Sequence, residues 1–250
     1  MRLQNKTALI TGGSRGVGRA AAERFIAEGA TVYISDIHAE RGEATAAEIG
    51  AKFIHQNVAD EADWQKVVAR LQADGADLHI LVNNAAILQF GNIDQESLEG
   101  WRKLMAVNSD GIFLAIKYIL PLIEAAGGGS IVNMSSSSAL MGVPDFCAYT
   151  ASKAAVRGLT MSTAVLCKQR ANKVRCNSIH PDGINTDMVR EIAGQNQAAG
   201  PDSYKDSMPF FCQPEDIANV ILFLASDESK HVNGIALSVD NTSTIHPPYL

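Results

Sequence analysis

Short apolar runs rich in β-branched residues alternate with amphipathic stretches along the whole chain. TALIT, TVYISD, KFIHQNV, LHILVNNA, SIVNMSS, VRCNSIHP and GIALSVD read as strands. They belong to the kind of parallel sheet that is buried on both faces. Between them, VGRAAAERFIAEG, AERGEATAAEIG, ADWQKVVARLQADG, YTASKAAVRGLTMSTAVLCKQ and PEDIANVILFLAS read as amphipathic helices. Gly29 and Gly50 stop the first two helices, and Pro214 followed by two acids opens the last. A longer helix is predicted from about Ser97 to Ala126. In it Trp101, Leu104, Val107, Phe113 and Leu114 fall near helical spacing, and Pro121 should bend its end.

This alternation runs without a linker or an internal repeat, so it predicts one doubly wound α/β domain over residues 1–250. Ligands of such a sheet bind beyond the carboxyl ends of its strands. The rhythm fails once, between Pro181 and Pro214, where Gly, Pro, Gln and Asn accumulate. A structureless stretch of that length has a functional reason in a compact domain, and residues 185–213 are read as a substrate lid.

The net charge of −6, with no basic cluster, argues against nucleic acid or an anionic membrane as partner and leaves small molecules or proteins. MRLQNKTALITGG has neither the apolar core nor the cleavage site of a signal peptide. The run GIFLAIKYILPLI is interrupted by Lys117 and Pro121 and reads as too short to span a bilayer. A cytoplasmic protein is expected. Cys147, Cys167, Cys176 and Cys212 show no CxxC spacing and the six histidines are dispersed. Reduced thiols, no disulfides and no metal site follow.

Chemistry enters with TGGSRGVG, which follows the first strand and opens the first helix. Its glycines sit where a tight turn lets backbone N–H groups approach a pyrophosphate at the positive end of the helix. Asp36 ends the second strand, 20 residues after Gly16. A carboxylate there accepts from both ribose hydroxyls and repels a 2′-phosphate, which points to NAD. Arg15, inside the turn, pulls toward NADP. Tyr149 and Lys153 are four apart on a predicted helix and so share a face. A nearby ammonium favours the phenolate, and such a pair can exchange a proton with an alcohol or carbonyl oxygen.

TGGSRGVG, NNAA after the fourth strand, Asn108, the serine run, YTASK and HPDGINT occur in the order and spacing of the short-chain dehydrogenase/reductase family, which the chain resembles over nearly its whole length. Within that family it most resembles bacterial NAD-dependent hydroxysteroid dehydrogenases of the 3β/17β type. The resemblance implies a Rossmann fold whose seven-stranded parallel sheet has the order 3-2-1-4-5-6-7, with helices on both faces. It implies a catalytic tetrad of Asn108, Ser136, Tyr149 and Lys153. Tyr149 is then the acid/base, Lys153 lowers its pKa and binds the nicotinamide ribose, Ser136 bonds the substrate oxygen, and Asn108 positions a water linking Lys153 to solvent.

The same resemblance places Gly12, Ser14, Arg15, Gly16, Val17 and Gly18 around the pyrophosphate. Asp36 and Ile37 fall at the adenosine ribose, and Asn57 and Val58 beside the adenine. Asn83 and Ala85 flank the cofactor, and Pro181, Gly183, Ile184, Thr186 and Met188 line the nicotinamide. Asn57 stands where the family usually has Asp, and Ala86 where it usually has Gly. Apolar side chains near the tetrad and in the lid suit a bulky substrate, with Leu88, Phe90, Met141 and Phe146 in the first group and Met188, Met208, Phe210 and Phe211 in the second. Strand alternation, if it reaches that far, puts Ser136 and Ser138 on one face and Ser135 and Ser137 on the other. The family spacing of thirteen residues from serine to tyrosine selects Ser136, with Ser138 as a second substrate contact.

The expected activity is NAD-dependent oxidation of a secondary alcohol, with a hydroxysteroid or cyclic alcohol as substrate. An NADPH-dependent carbonyl reductase and a catalytically idle dinucleotide-binding sensor are the alternatives. The long helix and the helix carrying Tyr149 resemble those that pair between subunits in the family, so a homotetramer or dimer is expected.

Overall fold

The computed structural model describes residues 1–193 and 212–245. Seven parallel strands form one sheet in the order β3-β2-β1-β4-β5-β6-β7. They are β1 (Thr7–Thr11), β2 (Thr31–Asp36), β3 (Lys52–His55), β4 (Ile80–Asn83), β5 (Gly129–Met134), β6 (Val174–Pro181) and β7 (Ala236–Val239). The order reverses at β1 and β4, so the first and fourth strands open the crevice at their carboxyl ends.

Alternate strand residues feed two cores. Ile10, Ile34, Val82, Val132 and Ile179 pack with α1 (Gly16–Ala27) and α8 (Pro214–Ala225) through Phe25, Ile217, Ile221 and Leu222. Leu9, Tyr33, Leu81, Ile131 and Cys176 face the other way. They meet Trp64 and Leu71 of α3 (Glu61–Ala73), Ile112, Ile116 and Ile119 of α5 (Gly111–Ala125), and Val156 of α6 (Cys147–Arg170). This double burial is why the strands read as unbroken apolar runs rather than alternating ones. The layer of α1 and α8 is completed by α2 (Ala39–Ile49), which ends on Gly50 in the left-handed conformation (φ 77°) that glycine adopts without strain.

The long helix differs from expectation. Pro121 and Lys117 do not interrupt it: α4 (Leu98–Met105), a π turn (Ala106–Asp110) and α5 run on without a break. Leu98–Ala125 is therefore 28 residues, long and apolar enough by composition to cross a bilayer, but half of its apolar window is buried against the sheet and α3. The wider π turn occurs at Asn108, the tetrad candidate, as such turns often do at functional sites. The strand carrying the serines is shorter than expected. It ends at Met134, and Ser137–Ala139 form a 3₁₀ turn, so strand alternation cannot sort Ser135 to Ser138. Of the lid segment, the structure describes a short helix α7 (Asp187–Ala193); Met208, Phe210 and Phe211 lie outside the described residues.

Candidate active site

A cleft of about 310 Å³ runs along the carboxyl ends of the strands, from Asp36 and Asn57 at one end to Ser136, Tyr149 and Lys153 at the other. Its floor is the glycine turn. Gly12 and Gly16 have φ of 63° and 55°, and a Cβ on Gly12 would come within 2.9 Å of the Ala85 Cα. A Cβ on Gly18 would strike the Gly12 carbonyl oxygen at 2.2 Å, so Gly18 is needed for helix-to-turn packing and does not line the cleft. Asn84 braces the turn by donating to the carbonyls of Thr11 (3.0 Å) and Gly12 (3.1 Å), while Thr11 Oγ1 accepts from the Asn84 and Ala85 amides. This cradle, open only because glycine lacks a side chain, fits a dinucleotide pyrophosphate.

Asp36 is nearly buried, and Ser14 holds it with both its hydroxyl (2.5 Å) and its amide (3.3 Å). Ser14 is itself buried and does not reach the cleft; it aims the carboxylate rather than touching phosphate. Arg15 lines the cleft, but its guanidinium pairs with Glu191 (2.7 Å) and lies near Asp187 (3.8 Å). The cation beside Asp36 is instead Arg41, whose Nε donates to Ser14 Oγ (2.9 Å) with Nη2 3.7 Å from the carboxylate. Arg41 was invisible to motif reading because it sits in the first turns of α2, five residues past Asp36; a basic residue so soon after the strand was the available signal. Asn57 lines the cleft with its side-chain oxygen accepting from the Ala59 amide (3.1 Å).

Several expected positions lie elsewhere. Asn83 is sealed in the sheet, donating to Asn133 Oδ1 (2.8 Å), and Asn84 takes its place along the cleft with Ala85, Ala86 and Ile87. Gly183 does not line the cleft; its carbonyl accepts from the Cys212 amide (3.1 Å). Pro181, Ile184, Thr186, Met188, Val17, Ile37 and Val58 do line it. Leu88, Met141 and Phe146 lie outside it, and Phe146 stacks on Phe90 with ring centroids 4.6 Å apart. Gly91 pairs there with Phe146, which ties the segment after β4 to the start of α6 as an aromatic wall. Ser138 is buried, with its hydroxyl lacking a partner among the described residues, and does not reach the cleft.

At the reacting end, the Ser136 hydroxyl hydrogen-bonds Tyr149. Lys153 is buried and donates from Nζ to the Met134 carbonyl (2.9 Å), with Nζ 5.5 Å from the Tyr149 ring centroid. Loss of hydration dominates both groups. The Tyr149 phenol is pushed up to about 12, opposed only by the Ser136 hydrogen bond, and the Lys153 ammonium down to about 8. The expected lowering of the phenol by Lys153 is thus not present among the protein groups by themselves: the shared burial that brings them together outweighs an attraction acting over that distance. Asn108 also differs from expectation. It is fully buried, with its amide spent on the backbone of Ile87 and on Ser152 Oγ (3.2 Å) rather than turned to Lys153.

The enzyme family described as enoyl-(acyl carrier protein) reductase matches residues 12–243. A 3-beta-hydroxysteroid dehydrogenase of Comamonas testosteroni is 38% identical over 248 residues, covering 96% of each chain. This chain is a short-chain dehydrogenase/reductase. An NADP-dependent (R)-specific alcohol dehydrogenase of Lentilactobacillus kefiri is 37% identical, covering 97% of this chain and 98% of the relative. Among solved structures, the ligand-free aldohexose dehydrogenase of Thermoplasma acidophilum superposes with a TM-score of 0.89 at 32% identity, covering 99% of this chain and 97% of that one. Members of this family use a nicotinamide dinucleotide, and the glycine cradle of the cleft fits one.

Proposed function

We propose that this enzyme is an NAD-dependent dehydrogenase of secondary alcohols, acting on a hydroxysteroid or another bulky cyclic alcohol. The observation that carries the reading is that one continuous cleft joins Asp36 to the Ser136–Tyr149–Lys153 cluster. Bound along it, the dinucleotide supplies hydride transfer. The protein's task is to hold the alcohol and move one proton. Ser136 donates to the substrate oxygen, and Tyr149 takes the hydroxyl proton in oxidation or returns it in reduction. Because burial holds the phenol near 12, Tyr149 becomes a base only when positive charge is brought to it. Lys153, fixed on the Met134 carbonyl beside the Tyr149 ring, does not bring the phenol down by itself and would need the positive nicotinamide of a bound oxidised cofactor to add to its charge.

NAD is favoured because the Asp36 carboxylate, aimed by Ser14, would face a 2′-phosphate. One pair of like charges at 4 Å costs about 4 kcal/mol at an effective dielectric of 20. Arg41 supports a second reading, an NADP-dependent carbonyl reductase, since its guanidinium lines the cleft 3.7 Å from the Asp36 carboxylate, where it could pair with a 2′-phosphate. The kefiri relative is named for NADP. Ile87, Val107 and Met188, which line the cleft, suit an apolar ring system, in keeping with the steroid named for the Comamonas relative. Exposed Phe113 on α5 and Met161, Val165 and Leu166 on α6 support burial of these helices between subunits, and hence a homotetramer. Free cysteines without partners suit the cytoplasm.

The test is a steady-state comparison of NAD and NADP with steroid, cyclic and linear secondary alcohols. Comparable kcat/KM with the two cofactors would overturn the Asp36 argument, and turnover of linear alcohols alone would overturn the substrate class.

A further inference from the structure

His180, the penultimate residue of β6, is fully buried and lines no part of the cleft. Its ring nevertheless connects to the reacting end. Nδ1 lies 3.0 Å from the Ser136 carbonyl oxygen and Nε2 lies 2.9 Å from Ser178 Oγ. A carbonyl oxygen only accepts, so Nδ1 carries the proton. Lys153 and Arg157 are the charged groups bearing on the ring, and both, like its burial, disfavour a second proton. The ring is then neutral and Nε2 is an acceptor, so the Ser178 hydroxyl, which also lies 3.3 Å from the Ile235 carbonyl, gives its one proton to the nearer Nε2.

The Ser136 carbonyl accepts a second hydrogen bond from the Ala139 amide (3.0 Å), and Ser136 Oγ accepts from the Ser138 amide (3.2 Å). Ser136 itself is extended, with φ −161° and ψ 158°, at the point where β5 gives way to the 3₁₀ turn. A residue leaving a strand has lost its ladder partners on one side, and here the ring from β6 replaces them. We propose that His180 is the positioning residue that fixes the peptide plane of Ser136, and that Ser178 sets the tautomer that lets it do so. The inference rests on the role given to Ser136 above. The relay acts by keeping the Ser136 hydroxyl directed at the Tyr149 oxygen and the substrate oxygen, where small displacements are costly.

The experiment compares His180→Leu, which keeps volume but removes the donor, with His180→Asn, which returns an N–H at the position of Nδ1. His180→Leu should lower kcat by about 10- to 100-fold with the KM for NAD within about twofold, and His180→Asn should recover to within about fivefold of the parent. Because His180 acts through Ser136, His180→Leu should cost less than about threefold further when added to Ser136→Ala. The assignment is overturned if His180→Leu keeps kcat within about threefold of the parent, if the two substitutions are equally slow at equal Tm, or if the double variant shows the product of the single losses. A Ser136→Ala enzyme of full activity would instead overturn the reading of the site itself. Should His180→Leu not fold, Ser178→Ala carries the test: a kcat loss of about 3- to 10-fold at unchanged KM for NAD is expected, and an unchanged kcat overturns the relay.

Discussion

The side-chain amide of Asn108 pairs with both backbone groups of Ile87, accepting from its N–H and donating to its carbonyl at 2.9 Å each, as a neighbouring strand would. The π turn brings the amide to a chain that has just left β4, where Ala85, Ala86 and Ile87 line the cleft. Asn108→Ala would remove the partner of two part-buried backbone groups of Ile87, each hydrogen bond contributing roughly 0.5–1.5 kcal/mol. We expect a fall in Tm of about 2–12 °C, given roughly 2–4 °C per kcal/mol at this size. The kcat/KM should fall with it, because the wall of the cleft loses its anchor. An Asn108→Ala enzyme of parental Tm with reduced activity would place the residue in the chemistry instead.

Cofactor choice should turn on Asp36 and Arg41 and not on Arg15. Asp36→Ala removes the charge that would face a 2′-phosphate and leaves the Arg41 guanidinium in place. The ratio of kcat/KM for NADP over NAD should then rise by about 100-fold or more, the scale of one close charge contact. Arg41→Ala added to Asp36→Ala should abolish most of that gain. Arg15→Ala should change the ratio by less than about threefold, because an exposed cation already paired with Glu191 has little charge to offer. Cofactor kinetics on the four enzymes settle the ranking.

The four serines should separate sharply. Ser136→Ala removes the hydroxyl that bonds Tyr149 and should lower kcat by about 100-fold or more, as loss of one oriented donor at a reacting oxygen does. Ser137→Ala should leave kcat and Tm nearly unchanged. Ser138 has a buried hydroxyl without a partner among the described residues, so Ser138→Ala should leave Tm level or slightly higher. A raised substrate KM for Ser138→Ala would restore it as a substrate contact.

The glycine turn, Asp36 and the Tyr149–Lys153 pair were legible because each depends on local spacing that one element enforces, while the sheet order came with the family resemblance. What was not legible depends on contacts between elements distant in sequence. Arg41 reaches Ser14 across 27 residues, and His180 reaches Ser136 across 44. Asn83 and Asn84 are neighbours in one motif, yet strand direction sends one into the sheet and the other to the cleft. The serine tract misled in a different way: β5 stops one residue before it, so the period of two had nothing to act on.

Lys153 should lower stability at neutral pH while supporting activity. Its pKa in the folded enzyme is about 8, below the 10.5 of a free lysine, so between those values the unfolded chain binds more protons and stability rises with pH. Tyr149 acts in the opposite sense higher up: the folded state holds its proton from 10 to about 12, and stability falls across that window. The parent enzyme should therefore gain in Tm from about pH 8 to 9 through Lys153, and lose at higher pH as burial makes the thiols of Cys176 and Cys212, and then Tyr149, hold protons that the unfolded chain releases. Lys153→Met removes the buried ammonium, so its Tm at pH 7 should exceed the parent's by a few degrees, with the difference closing toward pH 10. Its kcat should nonetheless fall by about 100-fold or more, since the site then loses the chain's cation beside Tyr149, to which the charge of a bound cofactor would have to add. Calorimetry of both enzymes from pH 7 to 11, beside a pH profile of kcat, checks both halves. A Lys153→Met enzyme that keeps the parent's rise in Tm would show that the buried ammonium is not its source.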